Sequence, residues 1–114
     1  MIPIKKYWKN KKVIITGHTG FMGSWLCLVL KLYGCKIYGI SIKQNTKPSL
    51  FKIMKIDKII FKHFVIDIND LNKLKNLFQK IEPDIIFHLA AQSLVKYSID
   101  NPIETFKTNV MGTV

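Results

Sequence analysis

The sequence predicts an α/β fold in which a parallel β-sheet of about four strands carries helices on both faces. Short apolar runs of strand length alternate with stretches of helical spacing, and closely spaced glycines separate the first run from the first helical stretch. The resulting order, β-α-β-β-α-β-α, predicts the strand order 3-2-1-4. The 114 residues, 48% of them hydrophobic, allow one domain with one core.

The first strand is predicted at Lys12–Thr16, where Val-Ile-Ile has the β-branched character of buried strands. A helix is predicted from about 22 to 33, because apolar residues recur there at helical spacing and Gly34 follows as a helix-ending glycine. The second strand is predicted at 35–42, and a polar loop at 43–49.

A third strand is predicted at 61–66, while the pattern of 50–60 favours neither helix nor strand. The next helix is predicted to run to about Lys80, and either Asn69 or Asp70 can cap its start. The Glu-Pro-Asp sequence that follows Ile81 ends this helix.

A fourth strand is predicted at 84–91, because a nearly continuous apolar run is typical of the centre of a parallel sheet. Asn101 followed by Pro102 predicts the start of a last helix, since asparagine caps helices and proline is tolerated at the first helical position. This helix is expected to continue to Val114.

A glycine-rich turn lies at 16–23, Thr-Gly-His-Thr-Gly-Phe-Met-Gly, between the first strand and the first helix. Gly17 is expected to make the tight turn, Gly20 to let a pyrophosphate approach the backbone, and Gly23 to let the helix pack closely on the sheet. The diphosphate would meet the free N–H groups and the positive dipole end of the helix. Glycine turns also merely reverse chains, but this context favours a Rossmann-type dinucleotide site.

The end of the second strand usually carries an acidic residue that holds the adenosine ribose of a nicotinamide dinucleotide. Here the position falls at or near Ser41, which can still hydrogen-bond a ribose hydroxyl, and Lys43 could neutralise a 2′-phosphate. The choice between NAD and NADP is therefore open.

The ends of the third and fourth strands face the same crevice. Asp67 and Ile68 could hold an adenine edge through a carboxylate and a backbone amide, or Asp67 could be a turn residue only. The small side chains of Leu89-Ala90-Ala91 leave room for a flat cofactor, although packing alone also favours alanines there.

The histidines and cysteines do not predict a catalytic or metal site. His18 lies in the turn, where it could contact phosphate, and His88 in the apolar fourth strand is best interpreted as a packed, hydrogen-bonded core histidine. Cys27 and Cys35 form no Cys-x-x-Cys pair, which favours reduced cytosolic thiols.

The net charge of +11 comes from eighteen lysines without any arginine, scattered along the chain. Because arginine is favoured for phosphate gripping and base recognition, this composition favours a solvated basic surface over a nucleic-acid interface. No apolar run approaches the roughly 20 residues of a membrane span, and no secretory signal is recognisable. We expect a soluble, cytoplasmic protein with neither nucleic acid nor membrane as partner.

Four segments resemble the extended short-chain dehydrogenase/reductase family, and especially its CDP-glucose 4,6-dehydratases. The glycine motif specifies only the superfamily, whereas the Pro-Ser-Leu-Phe loop and the Ala-Ala-Gln segment narrow it to the dehydratases. The resemblance covers almost the whole chain and implies a partial NAD(P)-binding domain at 1–114, with the substrate domain and the catalytic segment absent. The four segments are 16–26, 46–51, 88–95 and 101–114.

The resemblance also implies contacts. Phe21 and Met22 would offer backbone amides to the pyrophosphate, and Thr108 would touch the cofactor from the last helix. Ser98 would lie near the sugar nucleotide, although Tyr97 and Ile99 stand where the family has an arginine and an aromatic residue. The remaining implied contacts are Asp67 and Ile68 at the adenine, and Leu89, Ala90, Ala91, Gln92 and Ser93 at the nicotinamide.

The implied reaction converts CDP-glucose to CDP-4-keto-6-deoxyglucose in nucleotide-sugar metabolism: NAD takes hydride from C4, water leaves across C5–C6, and the hydride returns at C6. The full-length enzyme would be a homo-oligomer, and its base a Tyr-x-x-x-Lys pair. Tyr97 is followed four residues later by Asn101, so the chain alone is expected to be inactive and to hold no catalytic residue. A sugar-nucleotide epimerase, a non-catalytic nucleotide-binding remnant and, third, a basic nucleic-acid binder stay open as alternatives.

Overall fold

A four-stranded parallel sheet forms the centre of the computed structural model, which describes residues 4–42, 50–91 and 95–114. The strand order β3-β2-β1-β4 confirms the predicted topology. The strands are β1 Lys12–Thr16, β2 Lys36–Ser41, β3 Lys62–Val65 and β4 Ile85–His88. The loop predicted at 43–49 lies outside the described residues.

Helices cover both faces of the sheet, as predicted. Within the described ranges, the last helix changes from α-helical to π-helical geometry after Phe106 and runs on as the π-helix Lys107–Met111. The α-helices are α1 Ile4–Trp8, α2 Phe21–Leu32, α3 Leu50–Ile53, α4 Ile56–Ile59, α5 Leu71–Ile81, α6 Val95–Asp100 and α7 Pro102–Phe106.

Alternate residues of the central strands point to opposite faces, so each face has its own core. Val13, Ile15 and Ile37 pack against α2, α3 and α4 on one face. Ile14, Tyr38 and Ile40 pack against α5 on the other. The cysteines belong to the first of these cores as free thiols, and burial raises the pKa of Cys27 to about 12, which keeps this thiol protonated.

The ends of α2 and α5 follow from local residues. Gly34 has a φ of +84°, which allows the chain to turn back after α2 as predicted. Of the two candidate caps for α5, Asp70 is the one that acts, because its Oδ1 accepts a hydrogen bond from the Lys73 amide at 3.2 Å. Glu82, with a φ of +53°, ends α5.

The fourth strand differs from its prediction. It ends at His88 rather than Ala91, and among the described residues β4 is an edge strand, whereas its apolar run suggested a central one. Ile86 is accordingly 46% exposed. An apolar run indicates burial on two faces but not how many neighbours a strand has, whereas the edge position agrees with the predicted strand order 3-2-1-4.

The segment 50–60 had no clear pattern and forms α3 and α4. These helices are short because only Phe51, Ile56 and Ile60 are buried in the core between exposed lysines. Helix α6 was also not predicted. In the described part of the chain, no helix is both long and apolar enough to cross a membrane.

The carboxyl ends of all four strands lie at one edge of the sheet. Thr16 is opposite Ile40 of β2 and His88 of β4, and Ser41 is opposite Val65 of β3. The loops that follow the strands therefore face a common crevice, which is where open α/β sheets bind ligands.

Candidate functional site

The glycine turn lies between β1 and α2, and two of its glycines are required by protein contacts. Gly17 has a φ of +76°, and a Cβ atom there would lie 2.8 Å from the Ala90 nitrogen. A Cβ atom on Gly23 would overlap the Gly17 carbonyl oxygen and lie 2.7 Å from the His18 Cα. Gly23 therefore lets α2 pack on the turn itself, rather than on the sheet as predicted.

Gly20 differs because no contact with the described residues requires it. It is the N-cap of α2 with a φ of −75°, a conformation open to any residue, and a Cβ atom there would meet only the Gly17 oxygen at 3.4 Å. The lack of a side chain thus leaves open space over the start of α2. As a glycine, Gly20 provides no side-chain cap, and the first N–H groups of an α-helix have no intrahelical acceptor.

The neighbours of Gly20 leave the same space accessible. Phe21 is 68% exposed and Met22 is 70% exposed, so neither side chain is committed to the core. Their backbone amides belong to the first turn of α2, where the helix dipole favours an anion.

Thr16 joins the turn to the end of β4. Its buried Oγ1 accepts hydrogen bonds from the amides of Leu89, at 3.1 Å, and Ala90, at 3.2 Å. The backbone that follows β4 is thereby held beside Gly17, so the structure brings the glycine turn and the Leu89–Ala91 segment together. Thr16 was not predicted as a site residue, although its place directly before the first glycine was the available signal.

His18 does not face the crevice, so the expectation that it could contact phosphate is wrong. The residue is fully buried, and its Nε2 lies 2.6 Å from Nδ1 of His63. Its ring lies over Gly39 of β2, where a side chain would overlap it. Glycine inside a buried strand marks close approach of another group, which was the overlooked signal.

The two imidazoles form a neutral pair. Burial, and then the nearby His63, lower the pKa of His18 to about 4, against a smaller opposing effect of the Ile40 carbonyl. Burial also lowers the pKa of His63, while Asp57 partly offsets this. At neutral pH the pair therefore carries no charge beneath the turn.

His88 is hydrogen-bonded as predicted but is not a packed core residue. Its Nδ1 lies 2.7 Å from Thr16 Oγ1 and its Nε2 lies 2.9 Å from Thr113 Oγ1, yet the residue is exposed. The correction follows from the edge position of β4, which leaves one side of the strand open among the described residues.

The ends of β2 and β3 contribute differently to the crevice. Ser41 is buried, and its Oγ donates to the Ile42 carbonyl at 3.0 Å. Asp67 makes a turn, since its Oδ1 accepts from the Asn69 amide at 2.9 Å. The Ile68 side chain is buried against Gly112.

The C-terminal helical segment crosses this edge of the sheet, because Gly112 contacts Ile68 after β3 while Thr113 contacts His88 of β4. Thr108 lies in its π-helix and is half-buried. Ser98 lies on α6, also half-buried. Gln92 and Ser93 lie outside the described residues.

Comparison with known proteins finds nucleotide-sugar dehydratases and epimerases among the relatives of this chain. A CDP-glucose 4,6-dehydratase of Salmonella typhimurium is 47% identical over 96% of this chain, and a UDP-glucose 4-epimerase of Mycoplasma genitalium is 33% identical over 90% of it. The chain spans 30% of the length of each of these relatives.

Among solved structures, a UDP-glucose 4-epimerase from Stenotrophomonas maltophila with bound NAD and formylated UDP-arabinopyranose superimposes with a TM-score of 0.77 at 27% identity. The match covers 91% of this chain and 31% of that one. The family model described as GDP-mannose 4,6 dehydratase matches residues 14–114. The chain therefore belongs to the GDP-mannose 4,6-dehydratase family, among the nucleotide-sugar enzymes of the extended short-chain dehydrogenase/reductase type.

Proposed function

We propose that the chain binds the diphosphate of NAD over Gly20, as the cofactor-binding part of a CDP-glucose 4,6-dehydratase. The observation that carries the proposal is the open space at Gly20 directly above the uncapped start of α2. A bound diphosphate would accept hydrogen bonds from amides there that have no intrahelical acceptor. The NAD-bound epimerase of similar fold supports the same cofactor.

We also propose a contact for each remaining candidate residue. The amides of Phe21 and Met22 would hold the pyrophosphate, and the Leu89–Ala91 backbone would border the nicotinamide. The adenosine half would lie over the ends of β2 and β3. Gly17 and Gly23 would shape the turn. The further contacts that we propose with the cofactor are Ser41, Asp67 and Ile68 at the adenosine, Gln92 at the nicotinamide, and Thr108 from the last helix.

The geometry of Ser41 favours NAD over NADP. Its hydroxyl hydrogen is donated to the Ile42 carbonyl, so its oxygen can only accept another hydrogen bond. A ribose hydroxyl can donate to it, whereas a 2′-phosphate mainly accepts. Competition between NAD and NADP for the chain tests this preference.

When bound, NAD would supply the hydride acceptor for a nucleotide sugar, while this chain's residues hold and orient it. The chain contains no Tyr-x-x-x-Lys pair after β4, so we propose that it forms a partial dinucleotide-binding domain without dehydratase activity of its own. Ser98 would border the sugar nucleotide. The complete enzyme is proposed to be a homo-oligomeric lyase of polysaccharide biosynthesis, which sedimentation and product analysis would test.

A UDP-glucose 4-epimerase is the second candidate, because one relative with that name is 33% identical to this chain and a solved structure of another has a similar fold. Titration of the complete enzyme, with NAD present, with CDP-glucose and UDP-glucose separates the two. Preferential binding of UDP-glucose would favour the epimerase.

The central experiment is calorimetric titration of the chain with NAD. Gly20→Leu should bind NAD at least about tenfold more weakly, because its side chain fills the diphosphate position. Since Gly20 has unstrained dihedral angles, circular dichroism should show an unchanged fold. Phe21→Leu, which alters an exposed side chain and keeps the amide, is the matched control and should bind like wild type.

Two outcomes would overturn the proposal. One is a folded Gly20→Leu variant with wild-type NAD affinity. The other is tight, steeply salt-dependent binding of an oligonucleotide with no response to NAD, which would favour a nucleic-acid partner.

A further inference from the structure

A chain of polar groups connects the glycine turn to the C-terminal segment. Thr16 Oγ1 lies 2.7 Å from Nδ1 of His88, and Nε2 of the same ring lies 2.9 Å from Thr113 Oγ1. The Thr113 hydroxyl in turn donates to the Asn109 carbonyl at 2.8 Å. The imidazole of His88 therefore bridges the hydroxyl groups of Thr16 and Thr113.

Counting donors and acceptors fixes the proton on this ring. The two lone pairs of Thr16 Oγ1 accept from the amides of Leu89 and Ala90, so the hydroxyl hydrogen is left to donate to Nδ1 of His88. A neutral imidazole that accepts at Nδ1 carries its hydrogen on Nε2, which then donates to Thr113. Because the Thr113 hydroxyl already donates to Asn109, its lone pairs are available for this bond.

The position of this ring matters for the crevice because the groups next to it are closely packed. The backbone at Leu89 and Ala90 leaves no room for even a Cβ atom on Gly17. A shift of this backbone would therefore displace the turn that we propose to hold the diphosphate.

We propose that His88, as the neutral tautomer with its hydrogen on Nε2, is a positioning residue that couples the C-terminal helical segment to the dinucleotide site. It holds Thr16, and through it the amides of Leu89 and Ala90, against Gly17. The coupling rests on the proposed function, whereas the tautomer does not. The inference concerns placement only, and His88 takes no part in hydride or proton transfer.

The tautomer is tested by nitrogen NMR of the ¹⁵N-histidine-labelled chain at about pH 8, where neutral rings prevail. His88→Gln identifies the His88 signals by their loss. Wild type should show a protonated Nε2 and a bare Nδ1, and Thr16→Val should change the His88 nitrogen shifts while Thr16→Ser leaves them close to wild type. A protonated Nδ1 in wild type would overturn the proposal without any reference to NAD.

The coupling is tested at Thr113, which the proposed function does not place in the site. Thr113→Val should weaken NAD binding by about threefold to tenfold, the effect of one hydrogen bond, and Thr113→Ser should restore it. If Gly20→Leu abolishes binding while Thr113→Val binds like wild type, the proposed function stands and the coupling is wrong. If wild type does not bind NAD, the proposed function fails and the coupling with it, while the NMR experiment still decides the tautomer.

Discussion

His18 is hidden from solvent although its sequence neighbours form a turn, because Gly39 in β2 leaves space for its ring. The neighbours of His18 in the sequence could not reveal this, since the deciding glycine lies on another strand. Gly20 is the opposite case: its importance was predicted from the motif alone, and the open space above it agrees with that reasoning. The prediction for His18 thus failed because a distant residue decides, while the role of Gly20 at the pyrophosphate stays a prediction.

The buried His18 should make stability depend on pH. Burial and His63 lower the pKa of His18 from 6.5 to about 4, so between these values the unfolded chain binds a proton that the folded chain does not. This stability is complete above pH 6.5 and should fall by roughly 3 kcal/mol as the pH approaches 4. Urea denaturation between pH 6.5 and 4 measures this loss in the free energy of unfolding. The His18→Phe variant should lose less over the same range, and an equal loss in both proteins would contradict the prediction.

The three glycines of the turn should respond differently to alanine. Gly23→Ala should lower the free energy of unfolding by about 2 kcal/mol or more, because its methyl group would overlap the Gly17 oxygen. Gly17→Ala adds left-handed strain to a similar overlap, whereas Gly20→Ala should change stability little. Urea denaturation of the three variants measures their free energies of unfolding. A Gly23→Ala variant as stable as wild type would refute the close packing of α2 on the turn.

At the scale of elements, the strands and the ends of α2 and α5 were predictable because each has a local cause. The strand Lys12–Thr16 was predicted without error. Gly34 ends α2 and Asp70 caps α5, as their residue types predict. Helices α3 and α4 were not predictable, since docking of Phe51 and Ile56 on the core, rather than any period, forms them. The edge position of β4 follows from the predicted order of all four strands and not from its own residues.

Helix α5 depends on its cap. Asp70→Ala should cost about 1 kcal/mol, because the Lys73 amide loses its acceptor at the start of the helix. Asp70→Asn keeps an acceptor but removes the exposed ion pair with Lys73, which contributes little. Thermal unfolding of both variants separates the cap from the charge; an equal loss in both would mean that the ion pair dominates.

On the scale of the whole molecule, several of the positive charges behind the net charge of +11 lie together at one place on the surface. At the amino ends of the strands, a cavity of about 180 Å³ is lined by apolar side chains and by four lysines, which we call the rim lysines. Lys12 donates to the Ile81 carbonyl at 3.2 Å and Lys36 lies 4.0 Å from the centre of the Phe61 ring, so both rim cations are held in place. The rim lysines are Lys12, Lys36, Lys62 and Lys80.

Repulsion within this rim should destabilise the chain at low salt. Lys62→Glu should raise the free energy of unfolding by about 0.5 kcal/mol, because it places an anion among the cations. Lys75→Glu makes the same change in net charge outside the rim and is the matched control. Denaturation at low and high ionic strength checks this, since salt should reduce the difference; equal gains in both variants would show that only net charge matters.

The contact between Gly23 and the Gly17 oxygen also limits how this part of the sequence can vary. A library randomised over 17–23 and selected only for folding should return glycine at the first and last positions in nearly all survivors, while the middle glycine drifts freely. Adding selection for nucleotide capture should bring that middle glycine back. Two rounds of sequencing would thus separate the part of the motif that the architecture demands from the part that the ligand demands.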